Sequence, residues 1–278
     1  MDLYFTEQQA AGLRISCQVK QVLMEDKSQF QAIAVLDTVA FGRMLVLDDI
    51  IQTTEKDEFA YHEMIAHVPL MCHPHCERVL IIGGGDGGTM REVLRHANVK
   101  EVHMVEIDEK VVEAARRHLP TLSRGMSDER AHVIIRDGIE HVKEHQDYYD
   151  LVIIDSTDPI GPAVGLFSVE FYASVHQALK ADGMCVAQTE SPYFNETLVP
   201  KLYERISANF PTTHLYLGVV PTYPGGMWSF TVGSKRVDPT RPVKEPMDGM
   251  KYYSPAVHEA AFVLPPFVKE LIDSGDES

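Results

Sequence analysis

The sequence predicts an α/β protein with a doubly wound, mainly parallel sheet whose last strand is antiparallel, preceded by a small antiparallel β domain. Three observations predict it. From Glu77 onward, short apolar runs alternate with amphipathic helical segments, the rhythm of βα units whose strands are covered on both faces. The first apolar run, Val79-Leu80-Ile81-Ile82, passes directly into Gly83-Gly84-Gly85-Asp86-Gly87-Gly88, a turn whose glycines let backbone approach a ligand. Before Glu77, β-branched and apolar residues come in short stretches punctuated by turn residues, as in hairpins.

In the N-terminal part, strands are expected from about Leu13 to Gln52, for example at 15–19 and 32–36. Breaks fall at Asp26-Lys27-Ser28, Phe41-Gly42-Arg43 and Asp48-Asp49. The last break lacks the Gly that a two-residue turn favours at its second position, which leaves its turn type open. Thr54 is expected to cap a helix, because Glu55, Asp57 and Glu58 suit the positive end of a helix dipole. That helix should run through Tyr61, His62 and Ile65 to about Met71. The division expected is a β domain over residues 1–54 and an α/β domain over residues 55–278. In the second domain, strands are read at 78–82, 101–106, 131–135, 151–155 and 184–188. Helices are read at about 88–96, 109–118, 139–145, 169–179 and 196–209. Two more strands, about 214–220 and 227–233, follow without a helix between them and should pair antiparallel. Residues 275–278 read as a disordered tail.

The 278 residues carry 25 Lys and Arg against 41 Asp and Glu, a formal net charge of −16 with His neutral. That balance argues against nucleic acid as a partner and against a polybasic membrane anchor, since both need clustered cations. No run approaches the ~18 apolar residues of a membrane span, and the first ten residues lack a leader pattern, so a cytoplasmic location is expected. Four cysteines are too few for a disulfide framework, in keeping with a reducing compartment. Cys72-His73-Pro74-His75-Cys76 gathers metal-type donors, but no second ligand pair is apparent, and it reads as a connector before a buried strand. The remaining histidines read as showing no ligand spacing, and no metal is expected.

The glycine turn satisfies G-x-G-x-x-G at Gly83, Gly85 and Gly88, and an acid, Glu106, closes the next strand where ribose hydroxyls would lie. In Arg136-Asp137-Gly138-Ile139, the Asp137 side chain and Gly138 backbone suit the amino group of a base, and Asp137 equally suits a helix cap. The ligand implied contains a nucleoside, either a dinucleotide or a sulfonium nucleoside. Asp86 favours the second, because a carboxylate inside the turn repels a pyrophosphate and attracts a cation. The fourth strand ends in Asp155-Ser156-Thr157-Asp158, followed by Pro159, Gly161, Pro162 and Gly165, a segment too broken for helix that reads as a loop able to cover a pocket. Asp86, Asp155 and Asp158 should converge on one crevice, where three acids are costly unless a metal or cationic ligand balances them.

Several long, ordered motifs resemble the spermidine synthase family of polyamine aminopropyltransferases. They are Gln52-Thr53-Thr54-Glu55 with Asp57-Glu58-Phe59 and Tyr61-His62-Glu63-Met64, the glycine turn 83–88, residues 155–162 and Pro221-Thr222-Tyr223-Pro224-Gly225-Gly226. The resemblance spans nearly the whole chain. It implies a methyltransferase-like Rossmann fold behind the β domain, and transfer of an aminopropyl group from decarboxylated S-adenosylmethionine to putrescine. The products would be spermidine and S-methyl-5'-thioadenosine. By motif it assigns Gln31, Gln52, Glu106, Asp137, Gly138 and Pro162 to the nucleoside. Asp86 and Asp155 fall to the donor's aminopropyl amine, His62 and Asp158 to the polyamine, Tyr61 and Tyr223 to the flanks of the attacking nitrogen, and Asp155 to proton acceptance. Trp228 is a candidate wall of the polyamine channel, and Gln188 and Glu190 are candidates to reach the distal amine through water. A homodimer or homotetramer built partly through the N-terminal sheet is also implied.

The chemistry suits these residue types. An alkylammonium with a pKa of ~10 is a free amine about once in a thousand at neutral pH, a penalty of roughly 4 kcal/mol. A base must take that proton, and the sulfonium is already an activated leaving group, so neither a cofactor nor a metal is required. Alternatives are an aminopropyltransferase for cadaverine, agmatine or spermidine, a putrescine N-methyltransferase on the same scaffold, and a nucleoside- or polyamine-binding protein without turnover. Asp86 disfavours a dehydrogenase.

Overall fold

The computed structural model describes residues 2–156 and 165–273. Asp158, Pro162 and the tail 275–278 lie outside the described residues.

The N-terminal part is a five-stranded antiparallel sheet in sequential order: β1 (Leu3–Ala10), β2 (Leu13–Lys27), β3 (Ala32–Thr38), β4 (Gly42–Leu47) and β5 (Ile50–Thr54). Strand β1 lies N-terminal to the first strand expected from the sequence. Its apolar/polar alternation is weak because its buried position is Glu7 and its half-buried neighbours include Gln9. Strand β2 continues through Asp26 and Lys27 rather than breaking before them. The Asp48-Asp49 turn has φ of 46° and 65°, so both residues are left-handed, as a type I′ hairpin requires. Asp tolerates that conformation, and here Asp48 Oδ1 also accepts the Ala32 N–H at 2.8 Å, tying the turn to β3.

Helix α1 (Glu58–Cys72) begins later than expected. Thr54 is not its cap, because it ends β5 opposite Met44, and the Glu55 N–H is taken by the Arg43 carbonyl at 2.9 Å. The strand ladder therefore holds the backbone extended where the side chains alone suit a helix start. Thr54 Oγ1 instead donates to Asp57 at 2.5 Å, and Asp57 is the residue that precedes the helix.

The second sheet has seven strands: β6 (Arg78–Gly83), β7 (Glu101–Glu106), β8 (Ala131–Ile135), β9 (Tyr149–Asp155), β10 (Leu179–Gln188), β11 (Thr212–Val219) and β12 (Met227–Ser234). Their order is β11-β12-β10-β9-β6-β7-β8. Strands β6 to β10 are parallel, and β12 is inserted antiparallel to both neighbours, β10 and β11. The connecting helices are α2 (Gly88–Val93), α3 (Glu109–His118), α4 (Pro120–Ser123), α5 (Gly138–Lys143), α6 (Val169–Ala178) and α7 (Leu198–Ser207). Helices α8 (Pro255–Ala261) and α9 (Pro266–Asp273) were not anticipated from the sequence, and Ser254 caps α8 by accepting the Val257 N–H.

Period-two alternation along the strands makes two cores. Leu151 and Ile153 of β9 face Met64, Ile65 and Val68 of α1, while Val152 and Ile154 face Phe171, Val175, Leu202 and Ile206 of α6 and α7. A third core docks the N-terminal sheet on the second: Ile33, Val35, Leu45 and Leu47 pack on Val111 and Ala114 of α3, Leu122 of α4 and Leu119 between those helices. The N-terminal sheet thereby stands beside the carboxyl ends of β6, β7 and β9, where doubly wound sheets place ligands.

Candidate active site

A cavity of about 370 Å³ opens between the two sheets. Its carboxylates are Glu7, Asp48, Asp86, Glu106, Asp137, Asp155 and Glu190, and no Lys or Arg lines it among the described residues. An apolar section built from Leu45, Leu47, Ile82, Val111 and Leu166 adjoins the acidic one. Such a lining suits a ligand with a flat apolar body and positively charged extensions.

Asp86 and Asp155 are held by the glycine turn and the end of β9. The Gly84 N–H donates to the Asp155 carbonyl at 2.8 Å. Gly84 has φ of +68°, and a Cβ there would lie 2.9 Å from Asp155 Oδ2, so glycine is required for both conformation and space. Asp155 is supported at each oxygen, since Tyr61 Oη donates to Oδ1 at 2.7 Å and Thr89 Oγ1 to Oδ2 at 2.6 Å. Burial and the neighbouring Asp86 charge push its pKa up, against the opposing pull of His62 and the two hydroxyls. The result is a stronger base than an ordinary carboxylate, on a residue that lines the cavity.

Asp86 Oδ1 accepts the Gly88 N–H at the start of α2, at 2.7 Å, and Oδ2 lies 3.4 Å from His62 Nε2. His62 sits flush on Gly88, where a Cβ would lie 2.2 Å from its ring. The third glycine of the turn therefore serves close packing of an imidazole. His62 Nδ1 is 2.6 Å from Glu58 Oε2, and Glu58 is gripped at both oxygens by Arg91, at 2.8 and 3.0 Å. Arg91 continues to Glu92, and Glu92 to His67. Burial disfavours a charge on His62, yet Asp86 and Glu58 on either side raise its pKa to about 10. Burial likewise works against the Glu58 carboxylate, but His62 and Arg91 hold its pKa down at about 2. An imidazolium braced from behind thus fixes the orientation of Asp86. Glu58 and Arg91 were not singled out from sequence as a brace, nor was Thr89, although it directly follows the glycine turn.

Glu106 ends β7 and lines the cavity, with Oε1 accepting the Asp108 N–H at 3.0 Å. Burial raises its pKa to about 7. Gln31 lines the same end and donates to Asp108 Oδ2 at 2.9 Å, a bond that links the two sheets. Asp137 is both a cavity residue and the N-cap of α5, accepting the Ile139 N–H at 2.7 Å. Gly138 and Gln52 are also in the lining.

At the other end, Tyr223 packs between Tyr61 and Trp228, with ring centroids 5.7 and 4.6 Å away, and donates to the Gln52 carbonyl at 2.6 Å. Its loop is pinned by Thr222, whose N–H and hydroxyl both donate to Asp57 Oδ2. Trp228, Gln188 and Glu190 line this end, and Glu190 has a left-handed φ of 72° held by the Gln188 side chain, which accepts its N–H at 3.1 Å. Strand β1 adds Glu7, Gln8 and Gln9 to the wall. Gln9 donates to the Thr222 carbonyl at 2.6 Å, and Glu7 Oε2 accepts the Ile51 N–H at 3.1 Å. Their signal in the sequence was the run of polar residues at positions that a strand would turn inward.

This strand order, with an acidic crevice at the carboxyl edge of the parallel strands, is that of the methyltransferase-like α/β class. Residues 58–244 match the family model of the spermine/spermidine synthase domain, and residues 3–55 match that of the spermidine synthase tetramerisation domain. The chain belongs to the spermine/spermidine synthase family of polyamine aminopropyltransferases. It is 52% identical over 277 residues to a polyamine aminopropyltransferase of Moorella thermoacetica, covering 99% of this chain and 98% of the relative. The corresponding enzyme of Desulforudis audaxviator is 53% identical over 272 residues, covering 97% and 99%. A solved spermidine synthase in complex with the transition-state analogue AdoDATO superposes with a TM-score of 0.93 at 43% identity, over 98% of this chain and 95% of that one. The spermidine synthase of Thermotoga maritima gives 0.91 at 42% identity, over 98% and 94%.

Proposed function

We propose that the protein transfers the aminopropyl group of decarboxylated S-adenosylmethionine to putrescine, giving spermidine and S-methyl-5'-thioadenosine, with Asp155 as proton acceptor. The observation that carries this reading is the pair of rigidly held carboxylates, Asp86 and Asp155, on one cavity without a lining Lys or Arg among the described residues. Both substrates are cations, so the acids replace their lost hydration. In the reading, Glu106, Gln31, Gln52, Asp137 and Gly138 hold the nucleoside, joined by Pro162. Asp86 holds the donor's terminal ammonium and repels the carboxylate of intact S-adenosylmethionine, which selects the decarboxylated donor. His62, Tyr61, Tyr223 and Asp158 place the acceptor.

The acceptor ammonium passes one proton to Asp155, directly or through water, and the freed nitrogen lone pair attacks the carbon attached to sulfur. A C–N bond forms as the C–S bond breaks, the electron pair moves to sulfur, and the sulfonium becomes a neutral thioether. In-line geometry implies inversion at that carbon. Neither a metal nor a further cofactor enters the scheme. The reading extends to a cytoplasmic homodimer or homotetramer.

The test is formation of methylthioadenosine from decarboxylated donor with putrescine, cadaverine, agmatine or spermidine, with the polyamine product identified by mass. Putrescine should give the highest kcat/KM, and Asp155→Asn should lose about 10²- to 10⁴-fold. Absence of product with all four amines, or an undiminished Asp155→Asn enzyme, would overturn it.

A further inference from the structure

At the outer edge of the parallel sheet, away from the cavity, histidines from three elements come together. His103 projects from β7, on the face covered by α5, and His132 lies beside it on the edge strand β8 with ring centroids 5.4 Å apart. His141 is on α5, and His145 follows just beyond that helix, four residues on and therefore on the same side. One nitrogen from each of His103, His141 and His145 lies within 4.8 Å of the others.

We propose that His103, His141 and His145 form a binding site for a late first-row divalent cation of the Zn²⁺ class, with Glu101 orienting His103. Three features of the geometry carry this. First, His103 Nδ1 and His141 Nε2 come from different elements and both meet the Tyr149 hydroxyl, at 2.8 and 2.9 Å; Tyr149 donates to His103 and accepts from His141, so a bound ion would take the place of this hydroxyl and of the His141 Nε2 proton. Second, the other nitrogens of His103 and His145 are arranged as metal-bound imidazoles need. His103 Nε2 is 3.0 Å from Glu101 Oε1, the carboxylate–histidine pairing that fixes the tautomer and leaves Nδ1 with its lone pair. His145 Nδ1 is 2.8 Å from the His141 carbonyl, so it donates there and presents the Nε2 lone pair. Third, the distances are within reach. Three nitrogens at ~2.1 Å from a tetrahedral Zn²⁺ are about 3.4 Å apart, so each ring has to move by less than about 1 Å. His103 and His145 are only half-buried, which leaves an approach for the ion and a position for a water as fourth ligand. An all-imidazole set selects Zn²⁺, Ni²⁺, Co²⁺ or Cu²⁺ over Mg²⁺ and Ca²⁺, which take oxygen ligands. A bound ion would clamp β7 to the far end of α5, the helix whose N-cap, Asp137, lines the cavity.

The four-residue spacing of His141 and His145 is visible in the sequence, against the expectation that these histidines show no ligand spacing. Their partner was not adjacent, because His103 is brought to them only by packing of α5 on the sheet.

The experiment is calorimetric titration of ZnCl₂ into EDTA-treated protein without an affinity tag, with Co²⁺ absorption as a second probe of tetrahedral ligation. One equivalent per chain is expected, with a Kd on the order of 10 µM or below. His145→Ala should weaken it at least tenfold and remove the Zn²⁺-dependent rise in Tm, while retained aminopropyl transfer shows that this variant is folded. His132→Ala should bind as the unaltered protein does. No saturable equivalent below about 1 mM, wild-type binding by His145→Ala, or an equal loss in His132→Ala would each overturn the proposed ligand set.

Discussion

Tyr61→Phe isolates one interaction at the proposed base without disturbing the packing around it. The Tyr61 hydroxyl donates to Asp155 Oδ1 at 2.7 Å, and its buried ring packs near Phe230 and Tyr223 at centroid distances of 5.4 and 5.7 Å. Phe fills the same space, so the fold and the cavity wall persist. What changes is the electrostatic balance on Asp155, whose pKa is raised by burial and Asp86 and restrained by His62, Thr89 and Tyr61. A hydrogen bond to an ionised acceptor contributes about 1.5–3 kcal/mol, and 1.36 kcal/mol corresponds to one pKa unit. Removing the hydroxyl should therefore raise the Asp155 pKa by about one to two units. The assay is kcat/KM with saturating donor from about pH 5 to about pH 10. Because the acceptor binds as the ammonium and hands its proton to Asp155, one ionisation governs the acidic side: kcat/KM rises with unit slope up to the Asp155 pKa and levels off above it. In Tyr61→Phe that acidic limb should move to higher pH, and Thr89→Val should move it the same way. An unchanged limb, or one displaced to lower pH, would refute Asp155 as the group that takes the proton.

Three other outcomes follow from the same geometry. Asp86→Ala should weaken the decarboxylated donor by at least about tenfold while weakening methylthioadenosine much less, since only the donor carries an ammonium for Asp86 to hold; equal losses in equilibrium binding contradict that role. Glu106, with its pKa raised to about 7, would in the proposed nucleoside role accept ribose hydroxyls best when ionised. Methylthioadenosine should accordingly bind more tightly as pH rises from about 6 to about 8, and Glu106→Gln should abolish that slope; a flat wild-type profile refutes the assignment. Glu58→Gln leaves Arg91 and His62 without their shared carboxylate and should cost roughly 3–5 kcal/mol in denaturant unfolding near neutral pH. The His62 share of that cost comes from a pKa raised from 6.5 to about 10, so it is complete below pH 6.5 and disappears as pH climbs through 10. A variant as stable as the unaltered protein, or a deficit that grows with pH across that range, would contradict the brace.

The α/β strands were legible because each carries a short apolar run, and β6, β7 and β9 end in a glycine or an acid. Strands β7 and β8 and helix α3 fall at the residues the sequence indicated, and the antiparallel pairing of β11 with β12 was also legible. Strand β1 was illegible for a physical reason, since its inward positions carry Glu7 and Gln9, polar groups that serve the cavity. The same conflict misplaced the start of α1, where Thr54 has the chemistry of a cap but is committed to the β4–β5 ladder. Asp86, Asp155, Glu106 and Asp137 were found because glycines and strand ends mark their positions. The supports behind them were not, because Glu58, Arg91 and Thr89 are ordinary helix residues until the helices are packed.

By itself the sequence determined the class of fold, the glycine turn and the acids at the strand ends, all local properties carried by neighbouring residues. Only the tertiary structure decided which partners hold the oxygens of Asp86 and Asp155, and that His62 serves as a braced imidazolium against Asp86. It also decided that β1 closes the crevice and that three separate histidines meet at the sheet edge. These depend on contacts between residues far apart in the chain, and such contacts exist only once the two sheets and α1 are docked around one core.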